Sequence, residues 1–417
     1  MAIFAVLREL YILLILALLA SCGGPEPTKE EVLRLSWSDD ENTELNSIRD
    51  GALAKGINTS SKWLDGRWEL LSAKQIPDWK QSTGKVKFRI KGDWSDHILG
   101  DQWSFRLKLS GRGRWNGMKS FSIMRPEIRD YISEYVYHEL LHSENVLAPR
   151  YSFGYVNIND KGTKLYAFEE HFRKELVESL GRREAPILKF EETELWNIRL
   201  TGNAKLESLP IAESADIVPF TPSNLEESET FKAQFITASG LLNALRQSDY
   251  PIENIIDVEA WAKFLAIVDL TEAYHSLIWH NLRFYYNPVT GLLEPVGYDG
   301  FNSEGVFNWL GRDNVVLNNP WNAPFLQRIT NDSAFQVQHK FWLSKYTDPQ
   351  FLDNFFSKLS SEIARYEGMI QYANSNYSYK KDNLYARAEM LRASLEKPIP
   401  HTSETTMWED QIERRKS

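Results

Sequence analysis

The chain has 417 residues, with 48 Lys and Arg against 57 Asp and Glu, a formal net charge of −9, and a composition that is 42% hydrophobic and 25% charged. This composition is typical of a globular protein and excludes a fibrous or wholly disordered chain. The acidic balance argues against a nucleic-acid-binding protein, which needs a dominant basic face. We therefore expect no nucleic-acid partner, and we expect a monomer.

The first 21 residues have the pattern of a targeting segment. Arg8 precedes an apolar run from Leu10 to Ala20, which is shorter than a helical membrane span. The run ends in Leu19-Ala20-Ser21-Cys22, which resembles a bacterial lipobox, where the cysteine is lipidated and becomes the mature N-terminus. An ordinary secretory signal, with Cys22 incidental, is the alternative. We expect an envelope protein anchored to a membrane through Cys22.

Residues 22–60 are polar, acidic and rich in turn-forming residues, and we interpret them as a tether between anchor and folded body. The sequence has enough apolar residues after this segment for one large domain of two lobes. The predicted boundaries are 61–400 for the domain, with an N-lobe over 65–195, a connector over 196–240 and a C-lobe over 241–400, and a polar tail over 401–417.

Two segments alternate apolar and polar residues with the period of a β-strand, Val86–Lys91 and Phe105–Leu109. If both belong to one sheet, their apolar side chains face the core and their basic side chains share the opposite face. These basic residues, which could meet the oxygens of an anionic ligand, are Lys87, Arg89, Lys91, Arg106 and Lys108. A solvated sheet face that happens to be basic is the alternative interpretation.

A helix is predicted over Asp130–His142, and a hairpin follows with strands Tyr151–Ile158 and Thr163–Phe168. The hairpin leads directly to Glu169, and Lys189 lies in a later apolar segment. Taken alone, each of these two charged residues is better explained by an ordinary surface position.

The second half of the chain is predominantly helical in pattern. Residues 200–235 are rich in Pro, Ser and Glu, which favours a connector or a lid. From Asp257 onward, apolar residues recur at three and four positions and predict a helix that leads toward His275. Thr347-Asp348-Pro349 indicates another helix start, and a last helix is expected to end before Pro398.

A tight hairpin is predicted between these helices. Leu282–Tyr286 is strand-prone, Asn287–Gly291 supplies turn residues, and the chain returns through Leu292–Tyr298. Asn281 therefore lies at the start of the hairpin and Asp299 at its end. A zinc site that includes Asp299 is not favoured, because the nearby histidines have no zinc-ligand spacing.

Protein kinases hold magnesium and ATP with the same order of elements: a catalytic Asp, an Asn five positions later, and an Asp-Phe-Gly ligand beyond a hairpin. Asn281 and Asp299 match the two metal-ligand positions, and their oxygen atoms suit Mg²⁺. Ser276, preceded by His275, lies where the catalytic Asp would be.

The surrounding sequence resembles the CotH kinase family, the atypical kinases similar to spore coat protein H, over roughly residues 85–310. The resemblance is carried by KFRIKGDWS, by LYAFEEHFRKELVESLGRREAPILKF, and by the stretch from HNLRFYYNPVTG to YDG. Two departures are Tyr274-His275-Ser276, where the family has Asn-Trp-Asp, and Tyr298–Phe301, where it has Trp-Asp-x-Asp.

The resemblance implies an α+β, two-lobed atypical protein-kinase-like fold, with a mixed β-sheet N-lobe and a mainly helical C-lobe. It also implies transfer of a phosphoryl group from ATP, with Mg²⁺ or Mn²⁺, to a Ser or Thr hydroxyl of a protein substrate. Asp299 would be the main metal ligand and Asn281 the second, and His275 would replace the missing Asp as proton acceptor. The residues that would neutralise phosphate charge are Lys91, Arg106 or Lys189, with Glu169 orienting the lysine.

The rival hypothesis is a non-catalytic structural or binding lipoprotein that has kept the fold and lost the reaction. Ser276 at the base position is the residue that favours it.

Overall fold

The computed structural model describes residues 30–72, 81–202, 211–247, 249–301 and 324–395. Its strands and helices confirm the predicted α+β class. They are, in chain order, β1 (Val32–Ser36), α1 (Asp39–Lys55), β2 (Leu64–Leu71), β3 (Thr83–Ile90), β4 (Phe105–Leu109), β5 (Ser120–Met124), α2 (Ile132–Ser143), β6 (Tyr151–Ile158), β7 (Thr163–Glu170), α3 (Lys174–Ser179), β8 (Ile187–Phe190), α4 (Thr193–Leu200), α5 (Ile211–Ser214), β9 (Ile217–Pro219), α6 (Asn224–Glu227), α7 (Glu229–Gln247), α8 (Val258–Thr271), β10 (Phe284–Asn287), β11 (Leu292–Pro295), α9 (Pro324–Asn331), α10 (Ser333–Tyr346), α11 (Pro349–Ala373) and α12 (Lys381–Ser394).

The first seven strands close into a barrel in the order β1-β2-β3-β4-β5-β7-β6. Strands β1 and β6 are parallel, and the other neighbouring pairs are antiparallel. Alternate residues of β3, Val86, Phe88 and Ile90, point into the barrel and are buried. The sequence predicts a mixed sheet here, whereas the seven strands form a closed barrel, in which the two edges of the sheet pair with each other.

The predicted tether over 22–60 is wrong for residues 32–55. Strand β1 lies between β2 and β6 in the barrel and buries Leu33 and Leu35. Helix α1 follows, with Ser38 accepting a hydrogen bond from the Glu41 amide at its start. The strand is short and the helix is polar over most of its length, so neither has a strong apolar pattern in the sequence.

A second sheet of four strands, in the order β11-β10-β8-β9, lies next to the helices. The predicted central hairpin is confirmed, because β10 and β11 pair with Phe284 opposite Pro295 and Asn287 opposite Leu292. Helix α8 carries the buried Trp261 toward the hairpin, and its indole nitrogen donates to the Leu293 carbonyl at 3.2 Å. The hairpin is thus fixed to the helical core.

Two other predictions about the helices have different outcomes. Helix α11 begins as expected, with Pro349 in its first turn and the Asp348 side chain accepting from the Gln350 amide at 2.7 Å. The predicted connector over 196–240 is wrong for its last part, because α7 begins at Glu229 and buries Ala238 in the hydrophobic core. None of the helices in the described ranges is long and apolar enough to cross a membrane.

Candidate active site

The two polar residues that flank the hairpin lie close together. Asp299 has a positive φ of 58°, so the chain bends sharply at the end of the hairpin. The His275 ring nitrogen Nδ1 is 2.8 Å from Asp299 Oδ1, and the Asn281 side-chain amide donates to the His275 carbonyl at 2.9 Å. His275 therefore connects Asn281 and Asp299, both of which are buried.

A buried ion pair joins two strands of the barrel. Lys91, the residue after β3, places Nζ 2.8 Å from Oε2 of Glu169 on β7, and both side chains are almost fully buried. Burial lowers the pKa of Lys91 to about 8, even though Glu169 opposes this shift. Burial raises the pKa of Glu169, but Lys91 and Arg129 together leave it below its ordinary value. The carboxylate is therefore ionised at neutral pH.

Arg129 connects this pair to the hairpin. It ends a 3₁₀ turn over Pro126–Arg129, between β5 and α2, and is 5% exposed. Its Nη1 is 2.7 Å from Asp299 Oδ1, and its Nε is 3.9 Å from Glu169 Oε1. Burial raises the pKa of Asp299, but Arg129 and His275 outweigh it and keep that pKa below its usual range. We call Lys91, Arg129, Glu169, His275 and Asp299 the ionic cluster.

Sequence reasoning missed Arg129. No motif surrounds it, and both of its carboxylate partners are distant in sequence. The only local indication is its place in the short connection between a strand and a helix. A buried arginine with two long-range partners can be recognised only once those partners are brought together by the fold.

Arg106 lies beside the ionic cluster but has different partners. Its Nε donates to the Ser122 hydroxyl at 2.8 Å, and its Nη1 contacts His171 Nδ1. Burial, with Arg106 next to it, holds the pKa of His171 well below its ordinary value, so that ring is neutral and accepts from Arg106. Lys91 and Arg106 are close enough for the arginine charge to lower the pKa of the lysine. The structure thus brings Arg106 and Lys91 together.

Lys189 does not pair with Glu169. Its Nζ lies 3.7 Å from Glu192 Oε1 and 4.0 Å from Glu191 Oε2, on the second sheet. The glutamate Glu169 orients Lys91 instead. Lys87 is also elsewhere, in an exposed pair with Asp65 at 3.3 Å. The basic residues expected to share one sheet face are therefore divided: Lys91 belongs to the ionic cluster, Arg106 lies beside it, and Lys87 is exposed.

Both residues at the expected base position make hydrogen bonds to neighbouring residues. Ser276 is 2% exposed, and its hydroxyl donates to the Ala273 carbonyl at 2.6 Å. Burial lowers the pKa of His275, but the Asp299 carboxylate more than offsets this and leaves it above the ordinary value. The Asp299 contact thus favours the charged imidazole, and the role of His275 as acceptor of the hydroxyl proton stays a prediction.

Glu134 on α2 holds the chain that follows Asp299. Its two carboxylate oxygens accept from the amides of Gly300 at 3.2 Å and Phe301 at 3.1 Å. His138, one turn later, contacts Glu134 Oε1 at 2.9 Å and the Pro149 carbonyl at 2.6 Å. Sequence reasoning missed this support, although the spacing of Glu134 and His138 on one helix face is a local signal.

The oxygen donors near the hairpin fit a divalent cation that arrives with phosphate. Asp299 and Asn281 offer a carboxylate and an amide, and Mg²⁺ commonly takes one or two such ligands together with phosphate oxygens and water. Within the described ranges, no group of three or more His, Cys, Asp or Glu could hold a metal ion by itself. Residues Asn281 and Asp299 would therefore supply only part of a coordination shell.

Comparison with known proteins assigns the chain to a family. A family model described as "CotH kinase protein" matches residues 88–415, a range that includes all five members of the ionic cluster. No curated protein gives a significant sequence match. Because the matched range covers most of the sequence, the chain belongs to the CotH kinase family.

Proposed function

We propose that the ionic cluster is the centre of a kinase-like active site, which binds ATP with Mg²⁺ or Mn²⁺ and transfers the γ-phosphoryl group to a Ser or Thr hydroxyl of a protein. Family membership supports a kinase-like function. The observation that carries the proposal is the buried Lys91–Glu169 pair, joined through Arg129 to Asp299. The N-terminal sheet is a closed barrel, which differs from the usual N-lobe of a kinase. A two-lobed kinase-like fold is therefore part of this proposal.

Each residue of the site has a role that follows from its position. Lys91, oriented by Glu169, would contact phosphate oxygens, and Arg106 would add positive charge beside it. Asp299 and Asn281 would hold the metal, which neutralises charge on the phosphates when it is bound. Phosphoryl transfer has a loose transition state and depends mainly on positioning and charge neutralisation. These contributions require no covalent participation by the protein.

The reaction would be slow, because Ser276 stands where the family has its catalytic Asp and its hydroxyl is bonded to the Ala273 carbonyl. General-base assistance is typically worth about 10² to 10⁴ in rate. A protein that positions ATP and an acceptor without this assistance would retain measurable transfer.

A second candidate function is nucleotide binding without transfer, as in a structural or binding lipoprotein. Two observations favour it: the Ser276 hydroxyl is bonded to the Ala273 carbonyl, and Arg129 already pairs with Asp299. Both candidates require the nucleotide to bind at the ionic cluster, and they differ only in whether the bound nucleotide then gives up its γ-phosphoryl group.

The test incubates the purified protein with γ-labelled ATP and Mg²⁺ or Mn²⁺, alone and with a Ser-rich peptide. We expect slow labelling in the parent protein and none in Asp299→Asn. The matched control is Asp101→Asn, which changes an exposed carboxylate paired with Lys164 and should behave like the parent. Nucleotide binding without labelling would support the second candidate, and absence of nucleotide binding would contradict both.

We also propose that the protein is an envelope lipoprotein. Cys22 lies outside the described residues, so the proposal rests on the sequence ending in Leu19-Ala20-Ser21-Cys22. Each buried CH₂ of an acyl chain contributes about 0.8 kcal/mol to membrane binding, and two or three chains anchor firmly. Cys22→Ala should move the protein from the membrane fraction to the soluble envelope fraction. Unchanged membrane retention would contradict the lipid anchor.

A further inference from the structure

Arg129 contacts the Asp299 carboxylate on a side where a metal-binding carboxylate would be expected to be open to the metal ion. Its guanidinium is 2.7 Å from Asp299 Oδ1 and is buried, so the contact is not a loose surface pair. Its Nε and the facing Oε1 of Glu169 are buried and have no hydrogen-bond partner among the described residues. At 3.9 Å these two atoms attract each other without forming a hydrogen bond. Arg129 therefore retains donor capacity in the ionic cluster.

The charges of the cluster are already balanced without a metal. Asp299 and Glu169 carry two negative charges, Arg129 and Lys91 carry two positive charges at short range, and any proton on His275 adds to the positive side. Arg106 adds a further positive charge nearby, and its hydrogen-bond partners Ser122 and His171 are both neutral. A divalent cation that arrives alone meets no net negative charge and must displace Arg129 from Asp299. A polyphosphate, in contrast, enters a site with a surplus of positive charge.

We propose that Arg129 takes the electrostatic place of the metal at Asp299 while no nucleotide is bound. The site then binds the phosphate chain of a nucleotide without a divalent cation, and the metal binds only together with phosphate. This inference rests on the proposed function in one respect, the identity of the ligand as a nucleoside triphosphate. It predicts that the phosphate chain can bind before the metal but the metal cannot bind before the phosphate, because Arg129 pairs with Asp299.

The chemistry of arginine supports both halves of the proposal. A guanidinium has five N–H donors in a planar fork and remains charged at any accessible pH, so it can contact Asp299 and a phosphate together. If Asp299 were not neutralised, its negative charge would repel a phosphate chain that arrived without metal. Arg129 removes that repulsion. The same contact weakens the binding of a metal ion that arrives without phosphate, because the ion must displace the buried guanidinium of Arg129 from Asp299.

The experiment measures Mn²⁺ and ATP binding separately. Mn²⁺ is titrated into the purified protein and followed by electron paramagnetic resonance, with and without ATP, and ATP is titrated calorimetrically in EDTA. The parent protein should bind Mn²⁺ only when ATP is present and should bind ATP in EDTA. Arg129→Met should bind Mn²⁺ alone and lose about tenfold or more in ATP affinity in EDTA, within the usual range of coupling between two ligands. Added Mn²⁺ should restore its ATP affinity.

Arg129→Lys is the matched control, because it keeps the charge and should bind no Mn²⁺ by itself. A parent protein that binds Mn²⁺ alone as tightly as Arg129→Met would overturn the inference. So would an Arg129→Met protein that is folded yet gains no Mn²⁺ binding, which is the result of a purely structural role. If Arg129→Met does not fold, the parent protein still decides: Mn²⁺ binding without ATP, or loss of ATP binding in EDTA, would overturn the inference.

Failure of the proposed function gives a different result. A protein that binds no ATP under any condition contradicts the nucleotide site, whereas the comparison of Mn²⁺ binding between the parent and Arg129→Met still tests whether Arg129 occupies the metal position. Gain of Mn²⁺ binding in that variant would support the placement of Arg129, and no gain would overturn it.

Discussion

The barrel side and the hairpin side of the ionic cluster differ in how closely they follow a kinase-like arrangement. On the barrel side, Lys91 and Glu169 form a direct, buried pair at 2.8 Å, as expected of a phosphate-binding lysine and its orienting glutamate. On the hairpin side, Asp299 is held by His275 and Arg129, and Ser276 offers no base. The barrel side therefore fits the proposed role in binding phosphate, whereas the hairpin side departs from the arrangement expected for phosphoryl transfer.

This difference separates two requirements of a kinase that usually occur together. Binding a polyphosphate needs positive charge in a fixed, desolvated place, which Lys91 supplies. Rapid transfer also needs a metal site that is open and a group that accepts the hydroxyl proton. On the hairpin side, Arg129 already pairs with Asp299, and Ser276 stands where the family has its catalytic Asp. Substitutions that change one side at a time can therefore separate binding from transfer.

The largest effect is expected from Lys91→Met on the barrel side. Removing one member of a buried ion pair leaves the other charge uncompensated and typically costs about 3 to 5 kcal/mol of stability. Arg129, 3.9 Å from Glu169, should limit the loss to the lower end of that range. Urea denaturation measures the free energy of unfolding, and calorimetry at a temperature where the variant is folded should show no ATP binding.

Lys189→Met is the control for this change. Lys189 is partly exposed and its closest carboxylate oxygen is 3.7 Å away, so its loss should cost less than about 1 kcal/mol and leave ATP binding intact. Equal effects of the two substitutions would contradict the distinction between Lys91 and Lys189.

An intermediate effect is expected from pH, also on the barrel side. Burial lowers the pKa of Lys91 to about 8, so the lysine loses its proton as pH rises through that value. A phosphate favours the charged lysine, so ATP affinity should be constant below about pH 8 and fall above it, by at most about tenfold per pH unit. Calorimetry in buffers of different ionisation enthalpy should detect proton uptake on binding. Lys91→Arg should remove this pH dependence, and an unchanged dependence in that variant would assign it to another group.

The smallest effect is expected from Ser276→Ala on the hairpin side. The substitution removes one buried hydrogen bond to the Ala273 carbonyl and should cost about 1 kcal/mol of stability. The rate of phosphoryl transfer should not change, because the Ser276 hydroxyl is bonded to the Ala273 carbonyl and is a poor general base near neutral pH. A fall in the labelling rate larger than tenfold, with nucleotide affinity unchanged, would show that Ser276 takes part in the reaction.

The parts of the fold that the sequence predicts are those with local signals. The hairpin around Asn287–Gly291 is marked by turn residues between two strand-prone runs, and the start of α11 is marked by Asp348 and Pro349. Strand β1 escapes such reasoning because only Leu33 and Leu35 face the barrel. Closure of the barrel is equally hidden, since the pairing of β1 with β6 joins segments far apart in the chain.

The candidate site likewise contains residues that have a local sequence signal and residues that have none. Asn281 and Asp299 could be located from the sequence because one hairpin fixes their separation. The lysine partner of Glu169 could not be identified from the sequence, because Lys91 and Lys189 both lie in strand-like patterns. Only the fold shows that Lys91 is the partner. Arg129 reaches its two partners across elements that the sequence gives no reason to bring together.

Hydrogen exchange with and without ATP tests the central claim, that nucleotide phosphates bind at the ionic cluster, most directly. Binding there should slow amide exchange on addition of ATP in the peptides that contain Lys91, Arg129 and the segment from His275 to Asn281. Peptides of helix α11, which contributes no residue to the ionic cluster, should be unchanged and serve as an internal reference. Protection confined to α11 or to other elements away from the ionic cluster, or no protection at saturating ATP, would contradict the claim.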